Sequence, residues 1–324
     1  MTLHISESDV RQLLTMPMAI EAVEEISRKQ ADGSVVVHPR RRFELPNGGY
    51  FHYMAAMDAS AGFVAMKQYT YVNGALRFLV PLYEIATGAL LALIEADYMG
   101  QLRTGAASGV ASKFLACQNA RTAAVIGTGG QARTQLEAVA SVRQLESGWV
   151  YGRDPQRREE FADEMSKRLK LAVSAADSVA AAIRDADIVV TATKSSRPVF
   201  DGRDLAPGVH INAIGANHPH KRELDDVAVE RADLIFVDSL AQSKQEAGDL
   251  IVPFEKQPQR WESVHELAEL VGGKVPGRTS DQQITLFKSN GIASWDLAVA
   301  MRVYQLAKQR TLGKDISFFR EDMG

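Results

Sequence analysis

Residues 125–132 read VIGTGGQA: an apolar strand pattern ending at Ile126 runs into closely spaced glycines and then into the helical pattern of residues 130–142. Gly127, Gly129 and Ala132 keep the spacing G-x-G-x-x-A. The first glycine permits a tight turn, the second lets the backbone approach a phosphate, and the small third residue lets the helix sit close to the strand. Free N–H groups at the helix start then face an anion. Glycine pairs also mark ordinary turns, but with this strand before it and this helix after it the segment points to a dinucleotide. Cationic residues offer chemistry of another kind. Alternation in GFVAMKQYTY places Phe63, Ala65 and Lys67 on one strand face and Val64, Met66 and Gln68 on the other. A lysine on an apolar face is either a strand-end side chain reaching for water or a functional amine, whose pKa burial and nearby arginines would lower. Arg103 stands in a Gly/Ala-rich helix start where it has little packing purpose, and its planar fork suits a carboxylate. Arg41 lies in HPRRRF, residues 38–43, where a surface arginine cluster is the competing reading. If that segment is extended, Arg40 and Arg42 point away from Arg41's face and into solvent.

A carboxylate at the end of the second strand of such a domain bonds the ribose 2′-hydroxyl of NAD, whereas arginine there suits a 2′-phosphate. Here that strand ends WVYGRDP, residues 149–155. Gly152 stands at the carboxylate position, Arg153 follows, and Arg157 and Arg158 lie a turn into the next helix, so NADP(H) is favoured over NAD(H). In the opposing reading Asp154 takes the ribose and the arginines form a solvated helix face.

The elements that must position these residues fall into two patterns. After residue 120, short apolar strands at 123–126, 149–151, 188–191, 210–214 and 234–237 alternate with amphipathic helices, which is a doubly wound parallel sheet of Rossmann type. Asp154 and Pro155 cap a helix running to about 170, and Asp177 precedes an alanine-rich helix ending near 185. The first 115 residues instead show a helix at 18–30, extended segments at 49–54, 63–71 and 76–84, and a helix at 99–115, an α+β pattern. An amphipathic helix at 293–309 packs back on that part. The expected organisation is a Rossmann domain over 119–299 and a substrate-binding and dimerisation domain made of 1–118 with 300–324. A length of 324 residues suits two domains. The net charge of −3 argues against a nucleic-acid partner, the single Cys117 excludes an intrachain disulfide, and no Cys/His spacing resembles a metal site. No leader pattern or bilayer-length apolar run occurs, so no membrane partner and a cytoplasmic location are expected.

With these blocks in view, the chain resembles the ornithine cyclodeaminase and μ-crystallin family along nearly its whole length. The segments are HPRRRF, AMKQY at 65–69, ATGALLALIEADYMGQLRTGAAS at 86–108, VIGTGGQA, TATKSSRPVF at 191–200, INAIGANHPHKRELD at 211–225 and TLFKSNGIASWDLA at 285–298. The resemblance implies the two-part α/β fold, a homodimer and a nicotinamide site. It makes Lys67 the active-site lysine and Arg41 and Arg103 the substrate-carboxylate arginines; separately, Met54, with His52 and Tyr69, is expected to line the pocket. Thr104, Thr128, Gly129, Gly130, Gln131, Ala132, Gly152 and Arg153 should border the cofactor. Thr191, Ala192, Thr193, Ile214, Gly215, Lys288, Ser289 and Gly291 should also approach it, in keeping with ligand binding at the C-terminal ends of parallel strands. Glu223, Asp225 and Asp226 read as helix-start charges.

Asn217 departs from part of that family. Cyclodeaminases and the related alanine dehydrogenases carry an aspartate where this chain has Gly215-Ala216-Asn217, and a neutral amide cannot take a proton. The reading is therefore reduction of a small imino acid to the amino acid by NAD(P)H, with Lys67 supplying a proton to nitrogen and Asn217 orienting it. Ornithine or lysine cyclodeamination, an alanine-type dehydrogenase and a non-catalytic NADPH carrier are the alternatives. The side chain of the imino acid stays open; a third arginine or a histidine in the pocket would point to a second carboxylate.

Overall fold

The computed structural model describes residues 1–46 and 48–318; Asn47 and residues 319–324, the end of the expected 300–324 segment, lie outside them. The chain divides into two units, Met1–Arg103 with Ile292–Gly324, and Thr104–Gly291. The divisions fall inside the helix Asp97–Leu115 and just ahead of the helix Ala293–Arg310, where the sequence had suggested 118/119 and 299/300. Helical periodicity shows where a helix ends, and not which neighbours its two halves pack against.

The first unit is built on β1 (Thr2–Ile5), β2 (Val35–Glu44), β3 (Tyr50–Asp58), β4 (Phe63–Val72), β5 (Ala75–Glu84) and β6 (Leu90–Glu95). Strands β2 to β6 form an antiparallel meander, and β1 joins β6 in parallel. Asn73 and Gly74, both at positive φ, make the tight β4–β5 hairpin, which calls for residues that tolerate the left-handed region. The helix Ala293–Arg310 packs on β2 to β5 and on the helix Met16–Ala31. Its residues 293–300 are all buried, and Asp296 is the one charged side chain among them.

The second unit carries β7 (Thr122–Ile126), β8 (Ser147–Tyr151), β9 (Ala172–Ala175), β10 (Ile188–Thr191), β11 (His210–Ala213), β12 (Leu234–Val237), β13 (Val264–Glu266) and β14 (Thr285–Lys288). All pair in parallel, in the order β13-β12-β14-β11-β10-β7-β8-β9. The five strands read from the sequence are present; β9, β13 and β14 were not read, and β14 is central although it comes last in this unit. A further short strand, β15 (Lys314–Ile316), pairs with β1 in the first unit. Asp154 caps Pro155–Leu169, accepting from Arg157 N at 3.2 Å. The alanine-rich helix Val179–Ile183 is capped by Ser178 and not by Asp177, the hydroxyl accepting from Ala181 N at 3.1 Å.

The chain leaves β7 for β8 and β9 on one side, then returns to β10 on the other, so the switch point of this sheet lies between β7 and β10. Gly127 closes β7 there at φ 127°, and a Cβ on it would stand 2.5 Å from the carbonyl oxygen of Ala192. Gly127→Ala is predicted to cost more than about 1 kcal/mol. A lower midpoint in urea denaturation would show it; an unchanged midpoint would mean that the turn relaxes freely.

Candidate functional site

Lys67 shares the buried face of β4 with Ala65, as alternation required, and pairs across β3 with buried Met54. Its Nζ donates to Asp296 Oδ1 at 3.0 Å, and Arg103 Nε donates to the same oxygen at 3.1 Å. Lys67 is 4%, Asp296 1% and Arg103 6% exposed. Asp296 lies in the first turn of its helix, where backbone N–H groups favour a carboxylate. The Lys67 amine sits 5.1 Å from the centroid of the Phe78 ring. Gly100 gives it room: a Cβ there would come within 3.1 Å of Nζ.

Two cations share one anion in this cluster. Burial lowers the lysine pKa, Arg103 and Arg40 lower it further, and Asp296 draws it back, leaving it at about 8. Arg103 Nη1 and Asp296 Oδ2 are buried and make no hydrogen bond among the described residues. One donor and one acceptor thus stand open, the complement of a carboxylate beside an amine or imine.

Arg41 is not brought to this cluster. It pairs with Tyr53 and is exposed, whereas Arg42 pairs with His52 and His52 with Tyr69. Paired residues share a sheet face, so Arg40 and Arg42 belong to the Lys67 face and Arg41 turns away. Half-buried Arg40 depresses the pKa of both Lys67 and His52. Alternation linked Arg40 with Arg42, but which pair faces inward depends on the pairing that follows the irregularity between His38 and Arg41.

In the second unit, the helix Gly130–Val142 starts at Gly129, whose backbone provides no side-chain cap and whose Cβ position is open. Gln131 Oε1 is buried without a hydrogen-bond partner among the described residues, and Ala132 packs fully buried near β7. Arg133 Nη1 donates to the carbonyls of Thr128 at 2.7 Å and Gly129 at 3.2 Å, which fixes the turn. An uncapped helix start behind a glycine turn fits a pyrophosphate. A Cβ on Gly152 would stand 2.7 Å from Thr128 Cγ2, so a carboxylate side chain does not fit there without displacing Thr128. Arg153 is exposed, while Arg158 is spent on Gly152 O at 3.4 Å and Asp177 at 3.3 Å. Thr104 is buried, its carbonyl accepting from Gln135 Nε2 at 3.2 Å.

The ends of β10, β11 and β14 are held by acids that the sequence reading missed. Glu223 is fully buried and not a helix-start charge. It accepts from Thr191 Oγ1 at 2.9 Å, Thr193 N and Oγ1 at 2.6 Å each, and Gly215 N at 2.7 Å. Burial raises its pKa. Asp249 in turn accepts from the N–H of Glu223 at 2.6 Å and Leu224 at 2.9 Å. Lys288 turns inward: its Nζ lies 3.0 Å from Asp249 Oδ2 and donates to the carbonyls of Ala213 at 3.3 Å and Ala216. Asp238 gathers Ser289 Oγ at 3.1 Å, Asn290 N at 2.7 Å and Gly291 N at 2.5 Å. Ala192 N donates to Ile126 O and Ile214 N to Thr191 O, both at 2.9 Å, continuing the ladder past the strand ends. Asn217 is exposed in the loop after β11. Asp225, as read, caps a helix, Asp226–Glu230. The one hint of Asp296 in the sequence was an acid inside the otherwise apolar ASWDLAVA.

Among the described residues no group of three or more His, Cys, Asp or Glu side chains could hold a metal, and no helix is long and apolar enough to cross a membrane. The model of the ornithine cyclodeaminase/mu-crystallin family matches residues 2–311. A Δ(1)-pyrroline-2-carboxylate reductase of Bacillus cereus is 40% identical over 248 residues, which are 76% of this chain and 75% of that one. The structure of Thermococcus litoralis Δ(1)-pyrroline-2-carboxylate reductase in complex with NADH and L-proline is similar with a TM-score of 0.93 and 35% identity, covering 97% of this chain and 100% of that one. An archaeal alanine dehydrogenase dimer with bound NAD gives a TM-score of 0.92 and 34% identity, covering 98% and 99%. With this match along almost all of its length, the chain belongs to the ornithine cyclodeaminase/μ-crystallin family.

Proposed function

We propose that the protein reduces a small α-imino acid to the amino acid with a reduced nicotinamide cofactor. The observation that carries this reading is the buried Lys67–Asp296–Arg103 cluster, with its excess positive charge and its open donor and acceptor. The similarity to pyrroline-2-carboxylate reductases supports it. Arg103 Nη1 takes a carboxylate oxygen, with Arg40 supplying the second guanidinium that had been expected of Arg41. Lys67 Nζ donates a proton to the imine nitrogen, and Asp296 Oδ2 accepts from the N–H that results. Bound NAD(P)H supplies the hydride to the C=N carbon. Burial keeps water from the amine and strengthens each of these contacts. Asn217 is a neutral amide and takes no proton, which favours reduction over cyclodeamination.

NADPH is proposed over NADH. Gly152 leaves no carboxylate for the ribose, Asp154 is engaged as a helix cap, and Arg153 is free to meet a phosphate. A homodimer is proposed on the sheet face opposite Lys67, which presents Val36, Phe43, Phe51 and Tyr53. Phe43 is 58% exposed and stacks on the rings of Phe51 and Tyr53. Exposed apolar patches of this kind mark association surfaces, and the similar alanine dehydrogenase is a dimer.

Reduced-nicotinamide oxidation with Δ(1)-pyrroline-2-carboxylate tests the activity. Because protonated Lys67 is the donor, kcat/KM should fall as pH rises through about 8. Lys67→Met should lower it by about 10²–10⁴-fold. Asp296→Asn removes the group that holds the proton on Lys67, so the fall should move to lower pH. Activity untouched by Lys67→Met would sink the reading. NADPH should give the higher kcat/KM, and Arg153→Ala should cut it by about tenfold or more while affecting NADH less; equal losses would remove Arg153 from the phosphate. Sedimentation should show a dimer that Phe43→Glu dissociates, and a monomeric parent protein would overturn the proposed interface.

A further inference from the structure

Read from its β9 edge, the parallel sheet of the second unit runs β9-β8-β7-β10-β11-β14. In that order two mononucleotide-binding halves meet at a switch point, here between β7 and β10. The half made of β7, β8 and β9 carries the glycine turn and the ribose position at Gly152. The ends of β10 and β11 belong to the other half, which serves the nicotinamide side of a dinucleotide. Their two loops meet on one buried side chain. Glu223 Oε1 accepts from Thr193 N and Oγ1 at 2.6 Å each, after β10. Its Oε2 accepts from Gly215 N at 2.7 Å, after β11, and from Thr191 Oγ1 at 2.9 Å. A Cβ on Gly215 would stand 2.6 Å from both carboxylate oxygens, so only glycine admits this approach.

The attachment extends along both loops. The Thr193 hydroxyl accepts from Ser195 N at 3.0 Å while it donates to Glu223, and Val199 N donates to the Glu223 carbonyl at 2.8 Å. After β11, Lys288 Nζ donates to the carbonyls of Ala213 and Ala216, and Glu223 takes the N–H of Gly215 between them. Asp249 joins the two anchors: one oxygen accepts from Glu223 N at 2.6 Å and the other lies 3.0 Å from Lys288 Nζ. Asn217 is the next residue after this pinned run. An ionised carboxylate, which only accepts, is the one side chain of this length that can satisfy all four donors at once.

We propose that Glu223 is the positioning residue for the nicotinamide end of the cofactor. It fixes Thr193 against Gly215 and so shapes both loops of that half, and it leaves the adenine end to Gly129, Gly152 and Arg153. The inference rests on the nicotinamide-cofactor reading above and deepens it, dividing cofactor binding between two halves of one sheet.

Glu223→Gln keeps the size of the side chain and removes its charge. Whichever way the amide turns, its NH2 group meets a backbone N–H, that of Thr193 or that of Gly215. Binding is measured by calorimetry without imine, using NADPH beside adenosine 2′,5′-bisphosphate, and NADH beside AMP, so that each whole cofactor is compared with its adenine fragment. Glu223→Gln should raise the Kd of the whole cofactor by about tenfold or more and leave that of the fragment within about twofold. Thr193→Val removes one donor and keeps the carboxylate; it should raise the whole-cofactor Kd by about threefold and carries the test if Glu223→Gln does not fold. Equal losses for cofactor and fragment would make Glu223 a support of the fold at large and overturn the proposal, as would a Kd that neither variant moves. A parent protein that binds neither NADPH nor NADH overturns the cofactor reading and this inference with it. Failure of imine reduction alone shows separately, as bound cofactor that Δ(1)-pyrroline-2-carboxylate does not oxidise.

Discussion

Two cations buried against one carboxylate set the terms on which the first unit is built. Burying charge costs several kcal/mol per ion unless partners compensate for it, and the surroundings of Asp296 supply those partners one by one. The start of a helix faces the carboxylate, an aromatic ring lies beneath the amine, and Gly100 leaves the space the amine needs. The compensation stops short of neutrality. The residual positive charge can be relieved by a proton leaving Lys67 or by an anion arriving, and the two routes are linked. An arriving carboxylate favours the protonated amine, so in the mechanism proposed above a substrate anion would load the lysine with the proton that reduction consumes.

The second unit uses buried charge in the opposite sense. Glu223, Asp249 and Asp238 are acids that collect backbone N–H and hydroxyl donors from the ends of parallel strands, and Lys288 balances them from within. Hydrogen bonds from backbone N–H groups to carboxyl groups are short and strong. They hold the loops at the strand ends while leaving the helix start at Gly129 and Gly130 uncapped. Rigidity behind the strand ends and openness in front of them are what a nucleotide-binding edge requires.

What the sequence made legible was local. The glycine turn, the helix after it, the cap at Asp154 and the inward face of Lys67 each follow from neighbours within one element. The partnerships were not legible, because Lys67 and Asp296 are 229 positions apart and Arg103 and Asp296 are 193 apart. Glu223 was misread because an acid just ahead of a short helix has the same sequence signature whether it caps the helix or serves a strand behind it. The face of the arginine run was misread because one irregularity in β2 decides which side turns inward, and periodicity carries no trace of it. Lys288, expected beside the cofactor, could not be seen to turn into the core until Asp249 was found opposite it.

The place of β14 bears on how the chain is made. This strand hydrogen-bonds to both β11 and β12, yet it follows them by some tens of residues. As the chain emerges from a ribosome, β12 and β13 therefore have no sheet to join until residue 288 is out. The first unit waits longer still, since the helix Ala293–Arg310 covers its sheet and β15 borders β1. Domains usually fold in order from the N-terminus during synthesis. Here the N-terminal sheet gains its covering helix last, so its inner face stays uncovered by Ala293–Arg310 for nearly the whole of translation.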